Sequence, residues 1–234
     1  MFALSDVGCV RERNEDALHI NPELGLAILA DGMGGHRSGD VASQLAVETI
    51  VETISGLEHA EDSNARLESC LRSANRAVYD ASRKHTDHFG MGTTVVTALI
   101  ADVTAHVAHV GDSRLYLFAK AELKQITEDH TYRAQMSRYG HNPAELSENN
   151  AIGKMLVRAI GIEPEVEIDH YEVSVQPGDC LLLCSDGLTD VLCDAEISDI
   201  LQKKERLKAA AEQLIQQANK KGGPDNISVI LIRL

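Results

Sequence analysis

LGLAILADGMGGH, running from Leu24 to His36, joins an apolar run to an acid, a glycine-rich turn and a histidine. Leu24 to Ala30 has the length and apolarity of a buried strand, and Asp31-Gly32 falls where such a strand would leave the core for a turn. Lacking a Cβ, Gly32, Gly34 and Gly35 let the backbone take unusual dihedrals and admit an ion, a water or a phosphate. A single Asp-Gly after a strand is an ordinary turn. Here the same grammar returns three times: Asp112 follows HVAHVG, Asp186 ends CLLLCSD, and Asp225 sits in GGPD before a closing strand.

Outward from that stretch the chain alternates strand blocks with helix pairs. Phe2 to Val10 reads as a short strand, followed by the polar loop Arg11 to Asp16. Val41, Leu45, Val47, Ile50, Val51 and Ile54 recur at helical spacing from Gly39 to a stop at Gly56, and Leu67, Leu71, Ala74 and Val78 mark a second helix. Two successive helices argue against a simple βαβ repeat. Thr93 to Ile100, Val103 to Val110 and Leu115 to Phe118 read as an antiparallel meander. Thr127 to Asn150 is a polar insertion, Glu165 to Val175 and Cys180 to Cys184 return to strand, two more helices follow, and Asn226 to Leu234 closes the chain as a strand. No repeat or linker interrupts residues 1–234, so one domain is expected. Its class is α+β, a four-layer α-β-β-α sandwich of two antiparallel sheets, because each sheet needs one face on its partner and the other under helices.

Composition narrows the function. With 44% hydrophobic and 25% charged residues the 234-residue chain is ordinary globular protein. It has no bilayer-spanning apolar run and no basic-then-apolar leader, which predicts a cytoplasmic protein without membrane partners. A net charge of −14 with no Lys/Arg stripe argues against nucleic acid. The five cysteines have neither zinc nor redox spacing, and Cys180 and Cys184 read as small core residues. No coiled-coil heptad appears, so a monomer is expected.

If the four strand-end carboxylates meet on one rim they raise one another's pKa, and cations relieve that. All-oxygen ligands without a Cys/His cluster favour Mg²⁺ or Mn²⁺ over zinc. Two such ions side by side suit hydrolysis of a phosphate ester by water.

Seven motifs extend this reading: Ser5-Asp6-Val7-Gly8, Arg11-x-x-Asn14-Glu15-Asp16, Ala30 to His36, Gly90-Met91-Gly92-Thr93-Thr94, Gly111-Asp112-Ser113-Arg114, Ser185-Asp186-Gly187-Leu188-x-Asp190 and Gly222-Gly223-Pro224-Asp225-Asn226. In order and spacing, from near the first residue to near the last, they resemble the bacterial branch of the PP2C (PPM) metal-dependent serine/threonine phosphatases. The resemblance implies a two-metal centre on Asp31, the Gly32 carbonyl, Asp186 and Asp225, with Asp16 and Glu15 nearby through waters. It implies a metal-bridging water as attacking group, Arg11 as the phosphate ligand, and a third, weaker metal position on Asp112, Asp186 and Asp190. The implied substrates are phosphoserine and phosphothreonine proteins, in opposition to a bacterial Ser/Thr kinase. The insertion at about 127–150 corresponds to the family's flap.

One departure stands out. Family members carry a His-Pro pair late in the flap before an Arg-Asn, whereas this chain reads Glu148-Asn149-Asn150-Ala151-Ile152-Gly153-Lys154. The change is expected to leave the metal centre untouched and to bear on flap conformation and substrate choice. His36 has two open readings, a proton donor to the leaving oxygen or a surface residue at a helix start. His106 and His109, an odd number apart on a strand, face opposite sides and form no ligand pair. His130 reads as a positioning residue, Arg13 as solvated, and the Asn226-Ile227-Ser228 sequon as idle and explained by strand pairing. Retained carboxylates argue against a pseudophosphatase, and the missing Asp-x-Asp motif argues against haloacid-dehalogenase chemistry. A hydrolase of nucleotides or other small phosphates is the remaining rival.

Overall fold

The computed structural model describes residues 1–34, 38–57, 62–84, 86–140, 152–204 and 206–234. One sheet has the order β1 (Phe2–Asp6), β11 (Ile227–Arg233), β10 (Cys180–Cys184), β7 (Arg114–Ala119), β8 (Glu122–Gln125). The other has β2 (Asp16–Asn21), β3 (Leu26–Met33), β5 (Val95–Ala101), β6 (Thr104–Val110), β9 (Asp169–Ser174), with β4 (Gly92–Thr93) paired to the end of β3. Every pairing in both sheets is antiparallel.

The continuous apolar runs of β10 and β11 are explained by burial on both faces. Leu181, Leu183, Ile230 and Ile232 point between the sheets against Leu29, Val96 and Val107. Cys180, Leu182, Cys184, Val229 and Leu231 point the other way, onto α5 (Asp194–Lys203) and α6 (Leu207–Lys220). The second sheet is covered in turn by α1 (Gly39–Gly56) and α2 (Ser63–Lys84) through Ile28, Ile50, Leu71 and Val78. Each fully buried Leu, Ile or Val contributes roughly 1.5–3 kcal/mol relative to exposure. The four layers are those expected.

Several local expectations change. β3 runs on to Met33, because Gly32 and Met33 pair with Thr93 and Gly92. The meander is split: β5 and β6 stay in one sheet, while the Gly111-Asp112 turn carries the chain across to β7 in the other. The strand expected over Glu165 to Val175 forms only as β9, and β2 and the short polar edge strand β8 are additions. The polar insertion contains α3 (Tyr132–Arg138), capped by the Thr131 hydroxyl accepting from the Ala134 amide. The flap residues 141–151 lie outside the described residues. All five cysteines are free, and Cys180 and Cys184 are core residues.

Candidate metal centre

Strand register gathers the acids. Cys184 at the end of β10 stands opposite Val229 on β11 and Arg114 on β7, so Asp186, Asp225 and Asp112, each just beyond those strands, share one end of the first sheet. In the second sheet Asp16 is the cross-strand partner of Asp31, a like-charge pairing that destabilises a sheet by itself. The two ends meet. Asp31, Asp112, Asp186 and Asp225 line one open cleft of about 750 Å³ with Arg11, Glu15 and Gly32.

Asp16 lies behind this lining, where its Oδ2 accepts from the Ser185 hydroxyl at 3.0 Å and its buried Oδ1 has no partner. Asp190 is exposed at the rim, and the Lys154 ammonium donates to it at 2.6 Å. His36 and Gly35 fall outside the described residues.

Backbone bonds hold the carboxylates where register puts them. The Thr93 hydroxyl and Thr94 amide both donate to the Asp31 carbonyl at 2.9 Å, and the Thr94 hydroxyl accepts from the Asp31 amide at 3.1 Å. That hydroxyl also meets Ser113 at 2.7 Å, linking Asp31 to the Asp112 turn. Asn226 is 5% exposed. Its Oδ1 accepts from the Glu15 amide and its Nδ2 donates to the Val7 and Arg13 carbonyls. Asn226 therefore staples the Arg11 to Asp16 loop beside Asp225, while Ile227 and Ser228 are explained by strand pairing with Asp6 and Ser5. Gly32 matters for closeness rather than for an unusual dihedral: its φ is not positive, and a Cβ there would strike the Gly39 and Glu15 carbonyls. Thr93, Thr94, Ser185 and Asn226 were not read as site residues. Ser185 and Asn226 do adjoin Asp186 and Asp225 in their motifs, whereas the motif of Thr93 and Thr94 holds no acid.

The electrostatics are those of crowded like charge. Burial, followed by Asp16, Asp186, Asp112 and Asp225, pushes Asp31 well above the usual carboxylate range. Burial, then Asp112, Asp190 and Asp225, does the same for Asp186. Asp16 is pushed up to about 6 chiefly by burial, and Asp112 to about 7 by burial and then Asp129 and Asp190. Burial and Asp40 raise Glu15. Among the described residues Lys154 leans on Asp190, and Arg11 leans on Asp225, to which its Nη2 donates at 2.6 Å. The flap departure thus reaches the acidic rim at Asp190 through Lys154.

Among the described residues no three Asp, Glu, His or Cys side chains close into a ready-made metal cage. Hard divalent ions keep several waters and accept backbone carbonyls, so a closed cage is not what they require. The orphaned Asp16 oxygen and the mutual repulsion of the carboxylates fit a cationic occupant of all-oxygen preference.

Comparison with known proteins agrees. A protein phosphatase 2C family profile matches residues 10–231. The serine/threonine phosphatase Stp of Listeria monocytogenes is 39% identical over 97% of this chain and 93% of its own length. The crystal structure of the Mycobacterium tuberculosis serine/threonine phosphatase PstP superposes with a TM-score of 0.91 at 36% identity, covering 100% of this chain and 97% of that one. A structure of the PstP catalytic domain in complex with two manganese ions gives a TM-score of 0.87 at 36% identity over 98% and 95% of the two chains.

Proposed function

This chain belongs to the protein phosphatase 2C family and is a metal-dependent serine/threonine phosphatase, and from that premise we propose that Asp31, the Gly32 carbonyl, Asp186 and Asp225 hold two Mg²⁺ or Mn²⁺ ions. The convergence of four half-buried carboxylates from both sheets on one cleft carries this reading. Asp16 and Glu15 act around that pair through waters, and Asp112, Asp186 and Asp190 form a third, weaker position where Lys154 competes for Asp190.

The bound ions supply Lewis acidity toward the phosphoryl oxygens and lower the pKa of water. The chain's own residues do the rest. Thr93 and Thr94 fix Asp31, and Asn226 fixes the loop that carries Arg11. Arg11 is 53% exposed, so its guanidinium can leave Asp225 and grip the substrate phosphate in a bidentate manner. Water then displaces the serine or threonine oxygen, giving the free hydroxyl and inorganic phosphate.

Phosphoproteins are the substrates, and a Ser/Thr kinase is the partner whose products they are. We read residues 1–234 as one domain, supported by the apolar layer that both sheets share, with a flap at about 127–150. A monomer in the cytoplasm is our further reading. Among the described residues no helix is long and apolar enough to cross a membrane.

Hydrolysis of a phosphothreonine peptide with Mn²⁺, with EDTA and with Asp186→Ala tests the assignment. Turnover only with Mn²⁺ and the native Asp186 is expected, and turnover that survives chelation would refute the metal centre. Rates on ATP under the same conditions separate this reading from a small-phosphate hydrolase.

A further inference from the structure

The catalytic cleft does not end at the acids; its lining continues along the segment from Lys154 to Glu167. There the exposed apolar side chains Met155, Val157 and Ile162 lie beside Glu163 and Glu165. Neither glutamate is ion-paired among the described residues. The wall is anchored rather than loose. Ile160 and Thr93 exchange backbone bonds at 2.9 and 3.1 Å. Asn75 of α2, 2% exposed, accepts from the Gly161 amide at 2.8 Å and donates to the Glu163 and Pro164 carbonyls. Because Thr93 also holds Asp31, this wall is fixed relative to the reacting centre.

Charge sets what the wall suits. Among the described residues the lining carries eight carboxylates and three basic side chains. All three basic groups are already engaged: Arg11 with Asp225, Lys154 with Asp190, and Arg158 with Asp169. Two divalent ions bring four positive charges and still leave the lining acidic. Resting on the phosphatase reading, we propose that Glu163 and Glu165, with the apolar floor of Met155, Val157 and Ile162, form a subsite for the residues flanking the phosphorylated side chain. It takes basic substrate segments, in which Lys or Arg accompanies an apolar residue. Pre-anchoring by Asn75 lowers the ordering cost of such a contact.

The test compares two phosphothreonine peptides that differ only in flanking Lys or flanking Glu, under saturating Mn²⁺. Exposed charge pairs predict about a three- to tenfold preference in kcat/KM for the Lys peptide at low salt, shrinking as salt rises. The double variant E163Q/E165Q is expected to erase the preference, and E163K/E165K to reverse it. Equal rates on the two native reactions, or a preference untouched by both variants, would overturn the subsite. Hydrolysis of neither peptide would instead overturn the phosphatase reading together with it.

Discussion

The acidic rim and the cluster beside it are both knots of partly buried charge, yet they are built on opposite principles. At the rim, Asp16, Asp31, Asp112 and Asp186 crowd one sign together and all are pushed toward the protonated form. Next to them, His130, Asp169 and Arg158 mix signs. The Gly111 amide donates to His130 Nδ1 at 3.0 Å, which places the ring proton on Nε2, 3.2 Å from Asp169. Arg158 donates to the other Asp169 oxygen at 2.6 Å. Burial would raise Asp169, but Arg158 and His130 hold it below its usual range. Burial and then Arg158 lower His130, keeping it neutral. One cluster neutralises itself and shapes the turn that presents Asp112. The other needs positive charge from outside, and that need distinguishes a working site from a structural one.

Removing one acid from each cluster gives the largest contrast. Asp186→Ala is expected to cut Mn²⁺-dependent turnover about a thousandfold or more, because several kcal/mol of charge stabilisation go with it. The metal-free thermal midpoint should hold or rise, since a repelling charge has gone. Asp169→Ala should do the reverse: His130 loses its carboxylate and Arg158 is left, among the described residues, with only the exposed Glu167 as a carboxylate partner, costing about 3 kcal/mol of stability, or roughly 6–12 °C in a domain of this size. Thermal melts in EDTA beside initial rates in Mn²⁺ check both. Equal loss of stability in the two variants would erase the distinction.

A smaller effect comes from pH. An acid whose folded pKa is raised favours folding most below its unfolded pKa of about 3.9, and that stability disappears as pH climbs through the folded value. For Asp16 and Asp112 those values are about 6 and about 7, and Asp31 and Asp186 act in the same direction. The metal-free protein should therefore lose several degrees of midpoint between about pH 5 and pH 8. Cleft water screens the effect and keeps it from being larger. Saturating Mn²⁺ should flatten the slope. A midpoint that climbs with pH in EDTA would mean the rim is not crowded as described.

These contrasts also explain what the sequence revealed. The rim was legible because an acid beside glycine at the end of an apolar run is a local pattern, and Asp31, Asp112, Asp186 and Asp225 all carry it. The two layers of sheet followed from apolar runs too continuous for one-sided burial. The split meander was not legible, because LYLF joins either sheet equally well and only its long-range pairing with Cys180–Cys184 decides. Edge strand β8 is half charged, as edges that avoid aggregation are, and so carries no apolar signal. Thr93, Thr94 and Asn226 act through backbone groups of residues far away in the chain, which no spacing rule reports.

The finest contrast concerns the residue joining the two sides of the cleft. Lys154 belongs by sequence to the flap end and by charge to the rim, where it meets Asp190 with both side chains substantially exposed, 48% and 31%. Such a pair is worth about 0–1 kcal/mol, so Lys154→Met should move the thermal midpoint by no more than about 2–4 °C. Its effect on ions should be clearer. Without the ammonium, Asp190 is released beside Asp112 and Asp186, and calorimetric titration with Mn²⁺ should show the weakest binding phase strengthened several-fold while the tight phase stays put. An unchanged isotherm would make the pair a surface contact without bearing on metal binding. A strengthened weak phase would mean that the Lys154 side chain stands in for a cation at the proposed third position, where an outside ion would be held least firmly.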